Sequence, residues 1–181
     1  VRRWEIARFG KPFKTLERKD LNELTEEEIH DRNAAKAALI YPPVSISGEQ
    51  ALTIALGFRD QVQKSNYTIW ACAIMPEHTH LVLARHSYHV ERMANLLKGA
   101  ATTRMIRECN HPLRMHALPG ERPPRMWSAH EWKVFLDNED AILEAIAYVE
   151  QNPEKEGKNR QHWSFIVPFA GIETAGWTNY H

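Results

Sequence analysis

Two histidines separated by one residue, His78 and His80 around Thr79, open the chemical reading of this 181-residue chain. They stand at the start of a segment with strand character, where side chains two apart project from the same side, so both imidazoles face one way and make half of a metal site. A His-x-His pair alone reads equally as structural or surface-exposed. The other half comes from Tyr148 and Asn152, four residues apart and therefore one turn apart on one helix face. A helix packed on the sheet brings both to the histidines. Alone, Tyr148 reads first as a core or boundary tyrosine, and Asn152, ahead of Pro153, as a polar residue closing a helix.

The elements that must position these groups follow from periodicity. Residues 1–43 carry weak periodicity and mixed charge, with a helix expected over about residues 25–39, N-capped by Thr25 ahead of Glu26, Glu27 and Glu28 and ended by Pro42 and Pro43. From Ser47, Ala51, Ile54, Ala55 and Phe58 recur at three- and four-residue spacings, which predicts a helix to about Lys64. Residues 67–75 are rich in β-branched and aromatic types, Pro76 and Glu77 interrupt, and residues 78–84 resume with Leu81, Val82 and Leu83. This is two strands joined at a tight turn. Met93, Leu96, Leu97, Ala100, Met105 and Ile106 predict a second helix over residues 90–108 despite Gly99, followed by a proline-rich loop over residues 111–124. A short strand is expected around residues 132–136. Asp137 or Asn138 then caps a third helix, containing Ile142, Leu143, Ile146 and Val149, which Pro153 ends shortly after Asn152.

That order lacks one leading strand to make a βαββαβ, ferredoxin-like antiparallel sheet in an α+β domain. The opening strand would lie upstream of Val1 or within residues 1–9. A start at Val1 rather than at methionine, inside the basic, aromatic stretch Arg2, Arg3 and Trp4, fits an N-terminal truncation.

The stretch Ala73-Ile-Met-Pro-Glu-His-Thr-His-Leu-Val-Leu, then Leu97-Lys-Gly, then Tyr148-Val-Glu-Gln-Asn-Pro, resembles the single-tyrosine HUH transposases, particularly the REP-associated tyrosine transposases. The likeness covers about residues 67–153 and continues loosely through Gln161-His-Trp-Ser-Phe. It implies the HUH endonuclease fold, a ferredoxin-like sheet with helices on one face, in a catalytic domain at residues 47–169, flanked by an appendage at residues 1–46 and a tail at residues 170–181. It further implies that His78, His80 and Asn152 hold a divalent metal, magnesium or manganese, and that Tyr148 is the nucleophile that becomes joined to a DNA 5′-phosphate. The implied partners are single-stranded or hairpin DNA and a second copy in a homodimer, in the cytoplasm of a prokaryotic cell beside the nucleoid. Where this family carries a bulky apolar residue between the paired histidines, this chain has Thr79, which points to the opposite face.

Such residues suit the chemistry. A phosphodiester repels nucleophiles, and a tyrosine hydroxyl is almost wholly un-ionised at neutral pH, so a cation on the non-bridging oxygens is needed to neutralise charge and orient phosphorus. The charge distribution is compatible: Lys+Arg and Asp+Glu both total 23, but between residues 104 and 133 the bases Arg104, Arg107, Arg114, Arg122, Arg125 and Lys133 outnumber the acids Glu108, Glu121 and Glu131. Lys98, Arg104, Arg107 and Lys133 are the candidate phosphate contacts, read equally as solvated surface. Trp127 and Trp132 could stack unpaired bases or fill the core. Cys72 and Cys109 have no metal-knuckle spacing and read as reduced packing residues. His86, His89, His111, His116, His130 and His162 have no evident partner in the sequence. Absence of an apolar run of eighteen residues or of a secretion leader points to a soluble, intracellular protein with no membrane partner.

Two other classes compete. A catalytically inactive, transposase-derived protein that binds hairpin DNA or RNA would keep the same fold. A metal-free phosphoesterase built on two His-x-Thr/Ser elements is disfavoured, because His78-Thr79 has no second copy at the required spacing.

Overall fold

The computed structural model describes residues 25–172 apart from Ala38 and His130, and the chain divides into two units, Val1–Val44 and Ser45–His181. The expected opening strand in residues 1–9 lies outside the described residues, as does the tail beyond residue 172. Within the first unit, helix α1 spans Glu26–Ala37 and begins where the Ile29 N–H donates to the Thr25 carbonyl at 3.0 Å.

In the second unit, helix α2 spans Gly48–Ser65. Its start is a capping box: Ser47 Oγ accepts from the Gln50 N–H at 3.2 Å, and Gln50 Oε1 accepts from the Ser47 N–H at 3.0 Å. Asn66, in the left-handed conformation, closes it. Strands β1, Ile69–Ile74, and β2, Thr79–Leu83, pair antiparallel across the expected turn, where the Met75 N–H donates to the His78 carbonyl at 2.8 Å. Helix α3 spans Val90–Arg107 and helix α4 spans Glu139–Lys155, the latter N-capped by Asn138, whose Oδ1 accepts from the Ala141 N–H at 2.8 Å.

The sheet is covered on both faces. On one, Ile69, Cys72 and Ile74, with Leu81 and Leu83, pack against α2 residues Ile54, Ala55 and Phe58 and α3 residues Met93, Leu97, Ala101 and Met105. On the other, Trp70, Ala71, Ala73 and Val82 pack against α4 through Ile142 and Val149. Helices on one face only is therefore not the arrangement. Every residue of β1 is buried, which is what a strand between two helical layers requires. Trp70 and Ala71 fall on the same face because a β-bulge sits there: the pairing Ala71 with Val82 is followed by Ile69 with Leu83, leaving one extra residue in β1. Helices α2 and α3 cross closely at Gly57, where a Cβ would stand 2.7 Å from the Ala101 Cα, so this position has room only for hydrogen.

Residues 132–136 are not a strand. Val134 and Phe135 are 63% and 73% exposed, because no neighbouring strand among the described residues offers them a ladder. The outer edge of β1 is met instead by the segment after α4. The Val167 N–H donates to the Ile69 carbonyl at 2.9 Å, with a parallel bridge from Ile69 to Ile166. At the other end, the Gln161 amide takes the Ile74 N–H on Oε1 and gives its Nε2–H to the Ile74 carbonyl, both at 2.8 Å. Nor does Pro153 end α4 near Asn152. It is fully buried within the helix, which continues to Lys155. The turn beyond closes through the Lys158 N–H to the Pro153 carbonyl at 2.8 Å, with Gly157 at φ 67°. Among the described residues no helix is long and apolar enough to cross a membrane.

Candidate functional site

The face of the sheet under α4 carries the histidine pair. His78 directly precedes β2 and His80 lies within it, opposite Ala73, and both rings project towards α4, with centroids 4.7 Å apart at 72°. The short side chains Ala71 and Ala73 on β1 lower this face locally and let the helix approach. Tyr148 on α4 stands edge-on to His80, with centroids 5.6 Å apart and ring planes at 90°. Of the expectation that a helix brings Tyr148 and Asn152 to both histidines, the observed contact is the one between Tyr148 and His80. Asn152, one turn further along the helix face, is 6% exposed.

Two residues absent from the sequence reading join them. Lys155 places its Nζ over the Tyr148 ring, 4.9 Å from the centroid, and Glu156 places Oε1 3.7 Å from His78 Nε2. Lys155 is seven positions after Tyr148, two turns on the same helical face, so the spacing alone contains the signal once the helix is allowed past Pro153. Ending the helix at that proline hides both.

The residues fit a divalent cation in kind. A metal about 2.1 Å from each imidazole nitrogen, with the two ligands at a right angle, sets the ring centres roughly 4.5 Å apart, comparable with the observed separation. Asn152, buried one turn beyond Tyr148, is the amide that would complete such a site, and Glu156 is a carboxylate beside His78. Among the described residues no three His, Cys, Asp or Glu side chains converge, so such a site would rest on two imidazoles and an amide.

The expected phosphate contacts lie elsewhere. Lys98, Arg104 and Arg107 are on α3, in the layer that covers the opposite face. Lys98 pairs with Glu131 at 3.0 Å, and Arg104 with Asp60 and Glu108 at 2.8 and 2.7 Å, each basic side chain less than 20% exposed. Lys133 pairs with Glu91. Arg107, 65% exposed and 4.0 Å from Glu108, is the least committed of the four. A DNA phosphate at the others would have to displace a carboxylate.

Aromatic and thiol groups divide similarly. Trp127 packs into the α2–α3 core and donates its Nε1–H to Thr102 Oγ1 at 3.0 Å, whereas Trp132 is 59% exposed. Cys72 is buried, and burial pushes its thiol pKa up, but Cys109 is exposed, at φ 53°, and is not a packing residue. Two of the unassigned histidines have structural partners: His86 bridges the Ser65 carbonyl and the Tyr88 N–H, and His111 Nδ1 accepts from the Leu113 N–H at 3.2 Å. Comparison of the chain with protein-family models, with curated proteins and with solved structures returns no match, so its own residues carry the functional reading.

Proposed function

We propose that this chain is a metal-dependent single-stranded DNA endonuclease and strand transferase of the single-tyrosine HUH type, most like the REP-associated tyrosine transposases, on an HUH variant of the ferredoxin-like fold. The observation that carries this reading is the Tyr148 ring standing edge-on to His80, with His78 beside it. Magnesium or manganese bound by His78, His80 and Asn152 would neutralise and polarise the scissile phosphate. Tyr148, held by α4 against the strand that carries the histidines, supplies the attacking oxygen. Its Oη–P bond forms as the P–O3′ bond breaks, the phenolic proton passes to solvent and the departing 3′-oxygen takes one up. The phosphodiester energy is kept in the tyrosyl–DNA bond for rejoining. Helix α4 fixes Tyr148 relative to the phosphate before the reaction, which is the larger part of what such a site must do.

The test is incubation with a library of hairpin-bearing single strands and manganese, followed by denaturing gels. Wild type should give a covalent protein–DNA product. Tyr148→Phe should give none, with stability changed by less than about 1 kcal/mol, while Tyr67→Phe and Tyr88→Phe keep the product. An adduct surviving in Tyr148→Phe removes the nucleophile assignment.

One contact favours a second reading, a catalytically inactive hairpin DNA- or RNA-binding protein. Glu156 Oε1 lies 3.7 Å from His78 Nε2, so the carboxylate can engage this imidazole in place of a metal. Absence of an adduct in wild type with every strand and metal would make that reading the better one.

A further inference from the structure

We propose that Lys155 seats a phosphodiester against the Tyr148 ring, as a substrate-binding residue at the reacting group; the catalytic part of this inference rests on the strand-transfer reading above. The ammonium lies 4.9 Å from the ring centroid, over its face, and the side chain is exposed. A phosphate approaching the phenol oxygen therefore comes within reach of this cation on its flexible stem. Arg92 stands over a tyrosine ring too, that of Tyr88 at 3.8 Å, but Lys155 is the one whose ring belongs to the residue beside His80. Several other basic residues are engaged differently. Lys98, Arg104 and Lys133 are each held by a carboxylate, Lys158 reaches Glu156 at 3.4 Å, and Arg160 pairs with Glu150. Among the described residues the contact made by Lys155 is with the tyrosine ring and not with an acid.

A cation over an exposed aromatic face is weakly held, so exchanging part of that contact for a charge-assisted bond to a phosphate oxygen is favourable. The four-carbon stem lets the ammonium follow the phosphate while α4 keeps its base fixed two turns from Tyr148. The burial of Pro153 and the closure of the following turn hold the helix as far as Lys155, so the position does not depend on a frayed end. In the covalent intermediate the same ammonium would remain on the phosphate joined to Tyr148, favouring the adduct over release.

The seat can be read without metal or cleavage. In metal-free protein, the ring signals of Tyr148, identified in NMR spectra by their loss in Tyr148→Phe, should shift on titration with a short single-stranded oligonucleotide. They should stay in place in Lys155→Met and shift again in Lys155→Arg. With manganese and the hairpin library, Lys155→Met should form adduct at least about tenfold more slowly than wild type, with most of the rate restored in Lys155→Arg. Equal shifts in wild type and Lys155→Met, no shift in either, or an undiminished adduct rate in Lys155→Met would each overturn the proposal. Shifts that depend on Lys155 in a wild type that forms no adduct would uphold the phosphate seat and remove the strand-transfer reading instead.

Discussion

The two faces of the sheet are built from different materials. Beneath α2 and α3 lie large apolar side chains meeting others of the same kind: Ile69, Ile74 and Leu83 against Ile54, Phe58, Leu97 and Met105. Beneath α4 the strands present Trp70 and Val82 beside the short side chains Ala71 and Ala73, and the polar groups His78, His80, Tyr148, Lys155 and Glu156 gather at one end. The difference teaches a division of labour within a single strand pair. Because successive residues of a strand point to opposite faces, β2 contributes Leu81 and Leu83 to one layer and His80 to the other without conflict. The larger apolar packing lies on the face away from the candidate site, and the candidate site lies where the short side chains Ala71 and Ala73 leave room for the imidazoles.

That comparison can be broken by substitution. Phe58→Ala empties the centre of the α2–α3 face, where the ring lies 6.4 Å from Trp127 and 6.5 Å from Phe165. It should cost about 3–5 kcal/mol in urea unfolding, and a cost below about 1 kcal/mol would mean the two faces do not differ as described. Acid should erode stability on the same side. His111 is 2% exposed, and burial holds its pKa below the ordinary histidine value of 6.5. The unfolded chain therefore binds the proton more readily than the folded one. The stability contributed by neutral His111 is complete above 6.5 and is lost as pH falls through the depressed folded value. Unfolding midpoints measured between about pH 7.5 and pH 5 should decline less steeply in His111→Gln than in wild type; identical slopes would remove this contribution. The smallest effect on folding belongs to the α4 face. His80→Ala should change stability by less than about 1 kcal/mol yet abolish manganese binding in titration calorimetry. Equal affinity in the two proteins would end the assignment of the imidazoles as ligands.

What the sequence discloses is the local part. The Ser47 and Gln50 capping box, the Pro76-Glu77 turn, the Asn138 cap and the common face of His78 and His80 each depend on residues a few positions apart, and each is legible. The apolar run Ile69–Ile74 also carries the sign of cover on both faces, since a strand with one solvated face would alternate. Residues 132–136 mislead because β-propensity records a preference for a half-buried pleated surface and says nothing of whether a neighbouring strand exists. The basic residues of α3 mislead for a related reason: Asp60, 44 positions before Arg104, neutralises it only through the fold. Lys155 is hidden by the rule that proline ends helices, which weakens where the ring itself is buried and the following amides find other carbonyls.

The doubly bonded Gln161 amide takes the place of a neighbouring strand at one end of β1. An open strand edge is a template for intermolecular pairing and aggregation, and natural sheets blunt it with charges, bulges or a covering segment. Here one end of β1 is guarded by backbone at Val167 and the other by a single side chain imitating a peptide group. Backbone protection survives most substitutions; side-chain protection does not. Among the described residues, the Ile74 end of that edge therefore depends on one uncharged glutamine, and replacing it with a hydrophobic residue would free the Ile74 N–H and carbonyl for pairing with another strand.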